Sequence, residues 1–151
     1  MAIFTVTSND TLTLNKNVFN DMASDTVTKI DLPNELVNIT TGKGGNSVIA
    51  QNAKGLNSNL TIRLNRGSSD DQFMNNILQG SLTDFPSTVL LAGSFRKRLG
   101  DGNGNVITDV YDLSGGVISK IPEAEENVSG EGAQGVVTYM VKFANTTRGI
   151  Q

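Results

Sequence analysis

Apolar and polar residues alternate most clearly between Asn59 and Asn65, where Leu60, Ile62 and Leu64 take one parity and Thr61, Arg63 and Asn65 the other. Successive side chains of a strand leave opposite faces, so this period of two assigns the first set to a core and the second to an outer face. The stretch from Gly135 to Ala144 repeats the pattern, with Val137, Tyr139, Val141 and Phe143 as the core parity and Val136, Thr138, Met140 and Lys142 opposite. Shorter strand-like runs are Thr11 to Leu14, Val27 to Leu32, Leu36 to Thr41, Ser47 to Ala50, Thr88 to Arg98, Val106 to Leu113 and Gly116 to Lys120. Gly, Asn and Asp clusters bound most of them. The pattern predicts a mainly β chain, a β-sandwich or partly closed barrel of antiparallel strands. One segment differs. Ser69, Asp70, Asp71 and Gln72 form a helix start, Phe73, Met74, Ile77 and Leu78 share a helical face, and Gly80 is a left-handed stop, which predicts one short flanking helix over residues 69–79.

At 151 residues the chain suits one domain spanning 1–151. Hydrophobic residues make up 37% and charged residues 18%, and Asn, Ser, Thr and 16 glycines fill the difference, which argues against a helix bundle. The chain has no histidine and no cysteine, so imidazole bases, thiolate nucleophiles, disulfides and ordinary zinc sites are all excluded. A net charge of −3 supplies no global field for gripping nucleic acid. No apolar run approaches the roughly 20 residues that span a bilayer, so no membrane association is expected.

Four clusters suggest chemistry, and each falls short of it. Gly42-Lys43-Gly44-Gly45 places its lysine before the last glycines and leads into a strand pattern, whereas a phosphate loop needs lysine after them and then a helix. Asp101, Asn103, Asn105 and Asp112 match calcium-loop spacing, but Val106 stands where the sharp turn demands glycine. Arg96-Lys97-Arg98 is the densest basic cluster, yet in a strand its arginines share one face and Lys97 takes the other. Glu123, Glu125, Glu126 and Glu131 lie in a loop from Pro122 to Gly132 without the aromatic platform a glycosidase would use, since there are two tyrosines and no tryptophan. No catalytic residue, metal site or cofactor is assigned, and no enzymatic activity is expected.

The order of features has a family likeness. It runs through Asp31-Leu32-Pro33-Asn34-Glu35-Leu36-Val37, Thr41-Gly42-Lys43-Gly44-Gly45-Asn46-Ser47 and Leu64-Asn65-Arg66-Gly67-Ser68-Ser69-Asp70-Asp71. It continues through Phe95 to Asn105, Leu113-Ser114-Gly115-Gly116 and Ile121-Pro122-Glu123-Ala124 to a last strand. Over nearly its whole length the chain resembles a tail tube protein of a contractile-tailed bacteriophage. The resemblance implies a virion structural protein, assembled in the host cytoplasm, whose hexameric rings stack into the inner tube through which DNA passes. Its partners would be further copies of itself, the tail sheath protein, and the baseplate and tail terminator proteins. The tube of a related machine, a tailocin or secretion system, fits as well, and a carbohydrate-binding or adhesin β-domain is the more distant alternative. Under this likeness a hairpin around 36–50 projects, and Gly42, Lys43, Gly44, Gly45 and Asn46 at its tip contact neighbouring subunits. Thr61, Arg63, Asn65, Thr138 and Lys142, with Met140, are the candidates for the lumen face. Asp84, Asp109, Asp112 and the glutamates from Glu123 to Glu131 are the candidates to offset its positive charge.

Overall fold

A computed structural model describes residues 3, 5–19, 28–52, 55–122 and 135–150, with residues 5–10 described by their backbone alone. Nine strands lie within these residues: β1 (Thr5–Leu14), β2 (Asn17–Val18), β3 (Thr28–Asp31), β4 (Val37–Thr41), β5 (Ser47–Gln51), β6 (Ser58–Asn65), β7 (Leu91–Gly100), β8 (Val106–Ile118) and β9 (Val136–Ile150). One helix, α1 (Ser69–Thr83), and a 3-10 turn (Phe85–Ser87) fall between β6 and β7. Seven strands form one sheet in the order β2-β1-β7-β8-β9-β6-β3, while β4 and β5 pair only with each other. Every pairing is antiparallel.

The alternation in β6 and β9 has its expected consequence. Leu60 stands opposite Val141, Ile62 opposite Tyr139 and Leu64 opposite Val137, and all six side chains are buried. Leu12 and Leu14 of β1 belong to the same cluster, although β7, β8 and β9 separate β1 from β6 in the sheet. A flat sheet would hold those leucines far apart, so the sheet coils until its two ends cover one core. Helix α1 closes the gap with Met74, and Phe19, just after β2, meets Phe73 edge to face at 6.0 Å. The result is sandwich-like and mainly β, with one helix. It is not a closed barrel among the described residues, because β2 and β3 end the sheet without pairing to each other.

A local irregularity makes the coil. Buried positions in β9 follow period two at Val137, Tyr139, Val141 and Phe143, and the next is Thr146, three residues on. Strand β8 makes the same step between Gly116 and Leu113, where the register against β7 also shifts. Gly115 and Ala144 are the extra residues, so both strands turn their faces over at one level. Gly115 adopts φ +67°, a conformation that favours glycine. Next to it, a Cβ on Gly116 would lie 2.4 Å from the Phe143 ring, so the core aromatic occupies that space. Above this corner Thr146 turns inward, and its hydroxyl bonds the buried Ser58 hydroxyl of β6.

The helix starts at Ser69 as expected but differs in its cap and in its end. Ser68, not Ser69, caps it, accepting from the Asp71 N–H at 3.3 Å, and Asp71 rather than Gln72 answers by accepting from the Gly67 N–H at 2.8 Å. Gly80 does not stop it. The helix runs on to Thr83, and the break comes from Pro86, which cannot donate to Leu82 and whose ring would strike that carbonyl. The expected strands Val106 to Leu113 and Gly116 to Lys120 merge into β8, and β7 begins at Leu91 rather than Thr88, with residues 88–90 forming an irregular link from the 3-10 turn.

Tyr139 ties the helix start to the sheet, donating its hydroxyl to the Asp71 carboxylate at 2.6 Å. Burial, reinforced by Asp71, pushes the Tyr139 pKa well above the ordinary phenol value. The folded state therefore favours the protonated phenol, and this stability is complete below about pH 10 and is lost as pH rises beyond it. Tyr139→Phe should cost about 1–3 kcal/mol at neutral pH. In denaturant titrations between neutral and strongly alkaline pH it should also flatten the alkaline loss seen in the parent protein.

Candidate interaction surfaces

Every residue from Asp31 to Gln51 is exposed, so strands β4 and β5 stand off the body. Their sequence, rich in Val, Ile and Thr, favours extended backbone. The tip is closed by the Gly42 N–H donating to the Asn46 carbonyl at 2.8 Å and the Gly45 N–H donating to the Gly42 carbonyl at 3.0 Å, with Gly45 at φ +87°. The root is pinned by Asn52, whose N–H donates to the Leu36 carbonyl and whose side-chain amide donates to the Glu35 carbonyl, both at 2.7 Å. Gly42, Lys43, Gly44, Gly45 and Asn46 therefore sit at the end of a projecting hairpin, and the strand β5 rather than a helix follows them, unlike a phosphate loop.

The register shows a feature that the glycine tip alone does not. Val37 pairs with Gln51, Ile39 with Ile49 and Thr41 with Ser47, so Val37, Ile39 and Ile49 share one face. They are 45%, 63% and 67% exposed. A two-stranded hairpin is marginal in water, and an aliphatic face left in solvent forgoes on the order of 1.5–3 kcal/mol for each side chain that could be fully buried. The exposed apolar surface of the hairpin is thus its flank, behind the glycine tip. Counting period two through Val37 and Ile39 finds it only once the partner strand's register is known.

Thr61, Arg63 and Asn65 of β6 and Thr138 and Lys142 of β9 do share one face, opposite the core. Thr61 stands against Met140, Arg63 against Thr138 and Asn59 against Lys142. Strand β3 extends this face, with Lys29 beside Thr61 and Asp31 beside Asn59. Asp31 is the carboxylate that strand pairing brings nearest in register to Lys142, separated from it by Asn59. Sequence reasoning missed it because nothing local announces the β3–β6 pairing. Of the carboxylates expected to offset this face, Asp84 lies at the end of α1, Asp112 lies beyond the corner in β8, and Glu123, Glu125, Glu126 and Glu131 lie outside the described residues. Asp109 is engaged elsewhere, accepting from Arg148 through both oxygens at 2.9 Å, with the guanidinium over the Tyr111 ring at 5.5 Å. Hydrogen bonding to Asp109 raises the Arg148 pKa further above neutrality, so the guanidinium stays charged.

In the basic cluster Arg96 and Arg98 are exposed on one face of β7, while Lys97 lies on the other, in register with Asp109. The calcium-like loop is a hairpin turn knit by its own aspartate. One Asp101 oxygen accepts from the N–H groups of Asn103 at 2.7 Å and Asn105 at 3.2 Å, and the other accepts from the Asn105 amide at 2.8 Å. The Asn105 amide first, and the Asn103 N–H next, hold the Asp101 carboxyl below its usual value. Among the described residues no group of three or more acidic side chains is placed to hold a metal ion.

Three outcomes follow. Ile39→Ser combined with Ile49→Ser should leave the unfolding free energy of the isolated subunit within about 0.5 kcal/mol of the parent by urea titration, since neither side chain packs on the body. Asp101→Ala should speed amide exchange at Asn103 and Asn105 at neutral pH. Because the Asp101 pKa is depressed, its contribution is present above about pH 3.9 and is lost below it, so the difference from the parent should vanish in strong acid. Added calcium should leave the melting temperature unchanged.

No family model and no curated protein matches the sequence. Its fold is similar to that of a chain in the cryo-EM structure of an extracellular contractile injection system, the PVC sheath/tube terminator in the extended state. The likeness has a TM-score of 0.54 at 9% identity and covers 95% of this chain and 94% of that one, so it is a likeness of fold over nearly the whole length of both.

Proposed function

We propose that this chain is a structural subunit of a contractile tail or injection machine, and that it builds the tube. Copies associate as hexameric rings, the rings stack, and DNA passes through the channel without specific binding. The observation that carries this reading is the β4–β5 hairpin, which stands clear of the body with Val37, Ile39 and Ile49 in solvent. Such an arm has no role within one copy and a clear one between copies, where covering it removes apolar surface from water. The sheet supports the same reading, because its ends at β2 and β3 present edges that can pair across subunits. The tip residues Gly42, Lys43, Gly44, Gly45 and Asn46 then touch a neighbour, and the face carrying Thr61, Arg63, Asn65, Thr138 and Lys142 lines the channel. In this reading the protein works without catalysis or cofactor, meets sheath, baseplate and terminator proteins, and resides in the assembled tail of a virion or in the tube of a tailocin or secretion system.

A second reading is favoured by the structure whose fold this chain resembles, which is described as a sheath/tube terminator. On that reading the chain caps a tube rather than extending it. A subunit that stacks on itself must offer complementary surfaces above and below, whereas a cap offers one.

Negative-stain electron microscopy of the purified protein over a wide concentration range separates the two. A tube subunit gives channelled tubes that lengthen with concentration, and a terminator gives closed single rings of fixed height. A compact 16.0 kDa species at every concentration in parallel sedimentation would overturn both readings.

A further inference from the structure

A second apolar surface is exposed at the far end of α1. Leu82, Phe85, Val89 and Leu90 are 58%, 70%, 59% and 56% exposed and follow one another through the helix end, the 3-10 turn and the approach to β7. Its serines and threonines bond the local backbone. The Thr83 hydroxyl donates to the Gln79 carbonyl and the Ser81 hydroxyl to the Leu78 carbonyl, both at 2.9 Å, the Ser87 hydroxyl donates to the Asp84 carbonyl at 2.8 Å, and the Thr88 hydroxyl donates to the Phe85 carbonyl. Helix ends ordinarily leave carbonyls to water, and burying them unpaired is costly. Ser87 and Thr88 reach the Asp84 and Phe85 carbonyls respectively, each through both N–H and hydroxyl, so a partner can cover Phe85 without stranding those two groups. The end of the ridge is fixed as well, since the Asn15 amide donates to the Leu90 carbonyl at 3.1 Å and its oxygen accepts from the Ala92 N–H at 3.0 Å.

The hairpin flank complements this ridge. Its own polar groups are likewise paired inward where they border the aliphatic face, with the Thr41 and Ser47 hydroxyls bonded to each other at 2.8 Å. Between Leu36 and Gln51 the sole charged residue is Lys43, and between Gln79 and Leu90 it is Asp84. Each surface is thus an apolar stripe with one charge, and the charges are opposite. Strands of five residues give the arm a reach of about 17 Å, enough to carry Val37, Ile39 and Ile49 across a subunit boundary.

Building on the assembly reading above, we propose that the ridge from Leu82 to Leu90 is the seat for the β4–β5 hairpin of a neighbouring copy, with Val37, Ile39 and Ile49 against Leu82, Phe85 and Val89, and Lys43 beside Asp84. Arm and seat are different surfaces, so each copy gives one and receives one. A one-way contact of this kind propagates into a ring or a stack, whereas a reciprocal exchange of arms would close as a two-fold dimer and give dimers alone in the crosslinking below.

The absence of cysteine makes the contact directly readable. Ile39→Cys and Phe85→Cys are prepared as separate variants, mixed, assembled and oxidised. The expected product is a crosslinked pair containing one copy of each, and the variant carrying both cysteines should give a ladder of multimers. In the parent background, Lys43→Glu or Asp84→Lys should each raise the concentration needed for assembly several-fold, and the two together should restore it. Phe85→Ser should keep the parent melting temperature and lose assembly. If tubes or rings form but the mixed crosslink is absent and Phe85→Ser assembles normally, the seat is wrong while the assembly reading stands, and the ridge serves another partner such as the sheath. If the parent protein never assembles, both fail.

Discussion

Strands β8 and β9 turn their faces over together where Gly115 stands opposite Ala144, and the rest of the architecture depends on that corner. A chain with 37% hydrophobic residues has only enough large apolar side chains for one compact core. A flat seven-stranded sheet would spread them over a wide face, half of it unprotected. Bending two central strands at one level lets Leu12 and Leu14 reach the cluster built by Leu60, Ile62, Leu64 and their partners in β9. Gly116 leaves the space that Phe143 fills, and the Ser58–Thr146 hydroxyl pair settles the polar residues drawn inside by the turn. Helix α1 then covers the opening, fastened by its Ser68 cap and by Tyr139 on Asp71.

With the core completed in this way, the body has no place for the β4–β5 hairpin. The apolar side chains on its flank match in kind those of the core, yet they lie in solvent. Two physical demands therefore conflict within a single copy. The hairpin sequence favours strand and alternates correctly, but a lone two-stranded ribbon gains little from doing so. The repeating assembly proposed above would remove the conflict, because burial that one copy cannot supply would be supplied by the next. The same reasoning applies to the ridge at Phe85, where the Asp84 and Phe85 carbonyls are bonded within the chain.

The parts legible in the sequence are those governed by short-range periodicity. The core parity of β6 and β9, the helix and the hairpin with its glycine tip each follow from neighbours within a few residues. Parts that depend on distant pairing were not legible. The merging of two predicted strands into β8 hinges on Gly115 taking an unusual backbone conformation, and Asp31 comes near Lys142 only through the pairing of β3 with β6 and β6 with β9. Two neighbouring residues also misled in instructive ways. Ser68 and Ser69 offer equal caps by type, and the choice falls to Ser68 because Asp71 then sits where it can accept from Gly67 and from Tyr139. Gly80 looks like a stop, yet a glycine on an exposed helical face costs only about 1 kcal/mol, and Pro86 supplies the stronger termination.

The most direct test of this account compares amide hydrogen exchange in β4 and β5 between isolated subunits and whatever assembly the protein forms. The hairpin amides from Val37 to Gln51 should exchange rapidly in the isolated subunit, while those of β6 and β9 are protected, and should become strongly protected on assembly. Equal protection of the hairpin in both states would contradict the claim that it is an arm completed by a neighbouring copy.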